Sequence, residues 1–191
     1  MTDVHLVWLR PQGGETSSGD SLGTEWLDRI ALDSDGLGDL LLGFGFDESY
    51  GGIGIAPLNG PEPSSPVGAL QRVTCERVHF ERAAPSIEVA AFVYRTPAFT
   101  REEFAIRYQA IGLRLREFGG PARLMCRYAQ YHVVGEIDGP DAVGILGFAS
   151  ADDLRGFLTA PWLMEVLLPY EAEFIDHSRS IQLLVRQRPA H

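Results

Sequence analysis

Lysine is missing from this chain: all sixteen basic residues are arginine. That excludes a Schiff-base lysine and the lysine of a phosphate-binding P-loop. Cysteine is scarce. Cys75 and Cys126 form no CxxC pair, so zinc and dithiol motifs have no support, and both sit in apolar alternating runs where a reduced thiol acts as a small hydrophobe. Positive charge is outweighed by twenty-six Asp and Glu, for a net charge of -10. An acidic surface repels phosphate backbones, which argues against a nucleic-acid partner. No apolar run approaches the roughly 20 residues of a membrane span. The opening Met-Thr-Asp-Val-His has neither the basic nor the apolar part of a secretory signal. These absences predict a cytoplasmic protein with no membrane or nucleic-acid partner.

What is present is ordinary globular material: 191 residues, 45% hydrophobic and 22% charged, enough for one large domain or two small ones. The C-terminal half has clear punctuation. Residues 86–95 (SIEVAAFVYR) read as a strand. Thr100-Arg-Glu-Glu103 is a capping box that opens a helix to about Phe118, with Phe104, Tyr108, Ile111 and Leu115 as its buried stripe. Residues 123–134 alternate as a long strand, and 143–149 form a third after a turn at Gly139-Pro140. Ser150-Ala-Asp-Asp153 is a second capping box. Pro161 opens a further helix to about Phe174, and 181–186 is the last strand. The order β-α-β-β-α-β is the split-βαβ, ferredoxin-like pattern of an α+β fold.

The N-terminal half is less regular. Residues 4–9 read as a strand, and 12–23 as a Gly/Ser-rich loop. Thr24 to Leu32 (TEWLDRIAL) reads as a short helix capped by Thr24. Residues 40–46 and 51–56 are strands or a glycine-broken turn region, 59–66 a loop, and 70–80 a long strand. By element order alone this is an eroded copy of the second half, giving units 1–84 and 85–191. A ferredoxin-like sheet must bury the face its helices leave bare. Two units in one chain can do so by closing a barrel, which leaves a further homodimer open.

The C-terminal half resembles the EthD family. The resemblance is carried by Glu103-Phe104 at a helix start, Arg127-Tyr-Ala-Gln-Tyr-His132-Val on a strand, and Phe174-Ile-Asp-His-Ser-Arg-Ser180 at the closing corner, and it covers roughly residues 86–187. It implies ferredoxin-like units pairing into dimeric α/β-barrels. It also implies that the Asp176 corner is structural, with Asp176 bound to backbone amides or Arg179. Many members carry a histidine in the middle of the first helix. Here the matching position falls near Gly112, beside Ile111, so no role passes from that histidine to this chain.

Among the remaining groups, His132 has the pKa range for a general acid or base. Strand alternation puts Tyr128 and Gln130 on its face, where a phenol and an amide can hold a carbonyl or enolate oxygen. These three are the candidate catalytic residues, set against a reading in which His132 is a solvent-facing or capping residue. Tyr108 reads as core with its hydroxyl satisfied. His5 and His79 raise a three-histidine metal site with His132, but no local spacing marks one. The run Gly43 to Gly54 lacks the strand-turn-helix setting of a dinucleotide loop and reads as a hairpin or bulge. No cofactor is expected. The resemblance implies a cofactor-independent enzyme acting on a hydrophobic, aromatic or polycyclic small molecule, of isomerase, cyclase, dehydratase or monooxygenase type, in catabolism or secondary metabolism. The alternative is a non-catalytic small-molecule-binding or accessory protein.

Overall fold

The computed structural model describes residues 3–11, 25–31, 37–47, 50–57, 70–75, 80–117, 121–133 and 139–187. The described residues hold eight strands: β1 (Asp3–Pro11), β2 (Glu25–Arg29), β3 (Tyr50–Pro57), β4 (Leu70–Cys75), β5 (Ile87–Val93), β6 (Met125–Val133), β7 (Ala142–Phe148) and β8 (Ile181–Gln187). Helices α1 (Gly38–Gly43), α2 (Arg101–Glu117), α3 (Ala151–Leu158) and α4 (Leu168–Ala172) accompany them. The strands close a barrel in the order β1-β3-β2-β8-β5-β7-β6-β4, with every neighbouring pair antiparallel.

The second four strands run β8-β5-β7-β6, the ferredoxin-like order. Around the closed ring the first four run β4-β1-β3-β2, the same order. The β2–β8 and β4–β6 ladders join the two sets, so the barrel closes within one chain. This is the α+β, ferredoxin-like fold expected from the element order.

Two expectations for the first half are corrected. Residues 25–29 form strand β2 instead of a helix. Leu27 is buried in the barrel, and β2 is hydrogen-bonded on both sides, which outweighs local helix propensity. Conversely, the Leu40–Phe46 stretch begins as helix α1. Its end is a Schellman turn in which the Phe46 and Gly45 amides donate to the carbonyls of Leu41 and Leu42. Gly45, at φ 75°, supplies the left-handed residue this turn needs. The glycine run therefore ends a helix and leads into β3. Strand β4 is described over Leu70–Cys75, and residues 76–79 of the long strand expected up to Phe80 lie outside the described residues.

Alternation along the strands separates two cores. Leu27, Ile53, Ile55, Ala90, Phe92, Ala129, Tyr131, Val143, Ile145 and Leu183 fill the barrel interior. The opposite faces of β5–β8 pack against α2, α3 and α4, with Phe104, Tyr108, Ile111 and Leu115 as the buried stripe of α2. The interior also holds an ion pair, with Arg127 Nη1 3.1 Å from Glu88 Oε1. It spans β7 at Gly147, which pairs with both residues in the sheet. A Cβ on Gly147 would lie 2.9 Å from the Arg127 Cβ, so glycine leaves room for the crossing.

Helix α2 is fixed at its start. Glu103 N–H donates to Thr100 Oγ1 (3.2 Å) and Thr100 N–H to Glu103 Oε2 (2.8 Å), the predicted capping box. Buried Asp141, at the head of β7, accepts from Arg101 Nε at 2.9 Å and from the Arg95 amide at 2.9 Å. Helix start and sheet edge are thus locked together, which sets the height of α2 above the strands.

Candidate functional site

A cavity of about 110 Å³, open on one side, lies between the outer face of β5–β8 and the helices. Most of its wall is apolar, from Val89, Leu115, Leu146, Phe148, Phe157 and Leu167 among others. Among the described residues its polar members are Tyr108, Tyr128, Glu171, His177, Ser180 and Gln182, with no arginine.

One row of the sheet forms part of the floor. The register aligns Gln182 of β8 with Ala91 of β5, Ala91 with Gly144 of β7, and Gly144 with Gln130 of β6. A Cβ on Gly144 would lie 2.5 Å from Tyr108 Oη, so this glycine admits the phenol to the sheet. The Tyr108 ring is held on both sides. It stacks on Phe104 (5.4 Å, 12°) and meets the His132 ring edge to face (5.7 Å, 72°). Its hydroxyl bonds that of Tyr128. Gln130 is wholly buried, and its Nε2 donates to Tyr128 Oη (2.8 Å) and to the Tyr108 carbonyl (2.7 Å). Burial raises both tyrosine pKa values far above 10, followed by the Tyr128 phenol and then the Glu171 carboxyl for Tyr108, and by the Glu171 carboxyl for Tyr128. Both phenols therefore stay protonated and act as hydrogen-bond donors.

Glu171 projects from α4. The chain ahead of it is unusual: Leu163–Leu167 is a π-helical turn whose last hydrogen bond runs from the Leu168 amide to the Leu163 carbonyl. Pro169 accounts for this, since it has no amide for the Glu165 carbonyl and its ring would crowd that group. Leu163, Leu167, Leu168 and Glu171 all line the cavity. As a residue Glu171 is half-buried, because the cavity opens to one side, but its carboxyl is crowded by protein. That burial alone raises its pKa to about 8. Its side chain has no hydrogen-bond partner among the described residues.

Of the three candidates from the sequence, Tyr128 lines the cavity, while Gln130 and His132 (7% exposed) stand behind the tyrosine pair. Gln130 supports Tyr128 directly, and His132 buttresses Tyr108. Tyr108 is core with a satisfied hydroxyl, as expected, and also borders the cavity. Ile111 lines the wall too. The Asp176 corner is built as expected: its carboxylate accepts from Ser178 N (3.1 Å) and Oγ (2.6 Å). His177 lies at the cavity mouth, its pKa lowered by burial and opposed by Asp176. His79 and the His5 side chain lie outside the described residues. Among the described residues no group of three His, Cys, Asp or Glu is placed to hold a metal ion, and no helix is long and apolar enough to cross a membrane. Cys126 is a buried free thiol whose pKa burial raises.

Glu171 is the residue that sequence reasoning missed. Its only sequence signal was a carboxylate one turn before Phe174, close to the proline that distorts the helix.

No protein-family model and no curated protein matches the chain. Among solved structures it is similar to an anthrone oxidase-like protein (TM-score 0.62, 9% identity, 98% of this chain and 92% of that chain covered). It is also similar to a major regulator of staphylococcal pathogenesis (TM-score 0.51, 10% identity, 87% and 99% covered). At these identities the likeness is one of fold.

Proposed function

We propose that the chain is an acid–base enzyme for a hydrophobic aromatic small molecule, built from two fused ferredoxin-like units, residues 1–84 and 85–191, and related to the EthD proteins it resembles. One observation carries this reading: a carboxyl with no hydrogen-bond partner among the described residues faces an apolar cavity beside two permanently protonated phenols. Structural carboxylates are ordinarily paired, and a carboxyl held near neutrality by burial is a common catalytic device.

The substrate this arrangement suits is an aryl ketone or its enol. The carbonyl oxygen accepts from the Tyr128 hydroxyl, which Gln130 and Tyr108 hold in place. Ionised Glu171 removes a proton from the carbon next to that carbonyl. The oxygen gains charge as the proton leaves, and the phenol stabilises it. Returning the proton to another carbon isomerises the substrate, and the same enolate is the entry to cyclisation, dehydration or attack on oxygen. The proton role assigned to His132 from the sequence moves to Glu171, and His132 becomes a positioning residue for Tyr108. The fold likeness to the anthrone oxidase-like protein agrees with an aromatic ketone without carrying the proposal.

The test is deuterium exchange from solvent into the carbon next to the carbonyl of α-tetralone, followed by NMR. Wild type should accelerate exchange, and Glu171→Gln should lower the rate by about 100-fold or more, the range of general acid–base catalysis. Tyr128→Phe should cost about tenfold or more. Full exchange activity in Glu171→Gln overturns the proposal. Tight ligand binding with no exchange in wild type favours the non-catalytic binding protein.

A further inference from the structure

Gln182 lies on the same row of the floor as Gly144, two strands away, with only Ala91 between them. It lines the cavity and is half-buried. Its backbone carbonyl accepts from the Asp47 amide, but its side-chain amide makes no hydrogen bond among the described residues. Side chains stand roughly perpendicular to a sheet, so this amide rises over β8 while the Tyr108 hydroxyl sits over Gly144 on β7. Neighbouring strands are about 4.8 Å apart, which puts the two polar ends roughly 10 Å from each other. Two hydrogen bonds of about 2.8 Å each leave roughly 4–5 Å between the ligand atoms they meet. That is the span of two oxygens set meta on one aromatic ring, and it is shorter than the span of a para pair. Gly144 is covered by the Tyr108 phenol, so the small Ala91 side chain between the two polar ends is where a flat ring can lie.

We infer that Gln182 is a specificity residue, and that the cavity selects an uncharged aromatic ring carrying two oxygens in meta relation, such as a meta-hydroxyaryl ketone or a resorcinol. One oxygen meets the tyrosine pair and the other meets Gln182. The inference rests on the cavity being the substrate site, as proposed above. Among the described residues the wall carries no arginine, and its mostly apolar lining suits a neutral ligand.

Binding of three probes tests it: acetophenone, meta-hydroxyacetophenone and para-hydroxyacetophenone. Each is titrated into methyl-labelled protein, and the shifts of the cavity residues Ile111, Leu146 and Leu167 show that binding is in the cavity. Wild type should bind the meta isomer about fivefold more tightly than acetophenone, the worth of one net hydrogen bond. The para isomer should show little of this gain. Gln182→Leu should bind acetophenone as wild type does and lose the meta preference, and Gln182→Met repeats the test with an unbranched side chain. Equal binding of the meta isomer and acetophenone by wild type overturns the inference and leaves the cavity as a site. A meta preference that survives in both variants overturns the role of Gln182. Failure of all three probes to shift the cavity methyls overturns the inference together with the reading of the cavity as the substrate site.

Discussion

Glu171 couples stability to pH as well as chemistry. Burial raises its pKa from 4.5 to about 8, so the folded state holds a proton that the unfolded chain releases. The stability this contributes is fully present below the unfolded value and is lost as pH rises toward the folded one. Denaturation midpoints should therefore fall between pH 5 and pH 8.5 in wild type, and fall much less in Glu171→Gln. Equal slopes for the two proteins would show that the carboxyl titrates normally. The same titration sets the activity profile. If ionised Glu171 is the base, kcat/KM for exchange rises with pH and levels above about 8. A rate that falls through this range would instead assign the protonated form as the acid. The sequence drew attention to His132 because imidazole chemistry is recognisable from residue type alone. What raises the Glu171 pKa is its surroundings, supplied by β5, β6, β7 and α2 at distant points in the chain, and no local pattern encodes them.

The elements that hold these residues were legible where local signals and tertiary packing agree. Thr100-Glu103 and Ser150-Asp153 cap α2 and α3 as their spacing predicts, and the stripe from Phe104 to Leu115 is buried as its periodicity predicts. TEWLDRIAL misled because its helix-compatible composition is overruled by pairing with β3 and β8, residues far away in sequence. The row shared by Gly144 and Gln182 was hidden for the same reason, since register across four strands is a tertiary fact. That row gives a prediction of its own. Gly144→Ala places a methyl 2.5 Å from Tyr108 Oη, a distance that cannot persist. The phenol must move away from Tyr128, which should cost about 1–3 kcal/mol as overpacking and lower the exchange rate about tenfold or more by misplacing the donor pair. In a Tyr108→Phe background the offending oxygen is gone, and the same substitution should cost much less stability. Additive losses in this double-mutant cycle would mean that Gly144 matters for some reason other than the close approach of the phenol.

At the scale of the whole molecule, one chain does what two copies do in a dimeric barrel, and the barrel must be held shut by its own interior. Most of that interior is apolar, with Phe92, Tyr131 and aliphatic side chains from β2, β3 and β5–β8 filling it. Among the described residues the Glu88–Arg127 pair is an exception, with side chains 1% and 14% exposed. It links β5 to β6 across β7, the three strands that also form most of the cavity floor on their other face. An ion pair so placed gains from the low dielectric but has already lost its hydration, so its net contribution over a hydrophobic pair is small. The loss of one member is different, because the survivor is left charged and poorly solvated. Arg127→Ala should therefore destabilise the protein by about 3–5 kcal/mol, and chemical denaturation measures this directly. Replacing both members, as Glu88→Leu with Arg127→Met, should recover most of the loss, because the double variant removes both charges of the pair together. If the single variant unfolds outright, the double variant still decides the point. Recovery in the double variant identifies the pair as a device that fixes strand register, with little net stability of its own. A double variant as unstable as Arg127→Ala would mean that the pair itself holds the barrel closed.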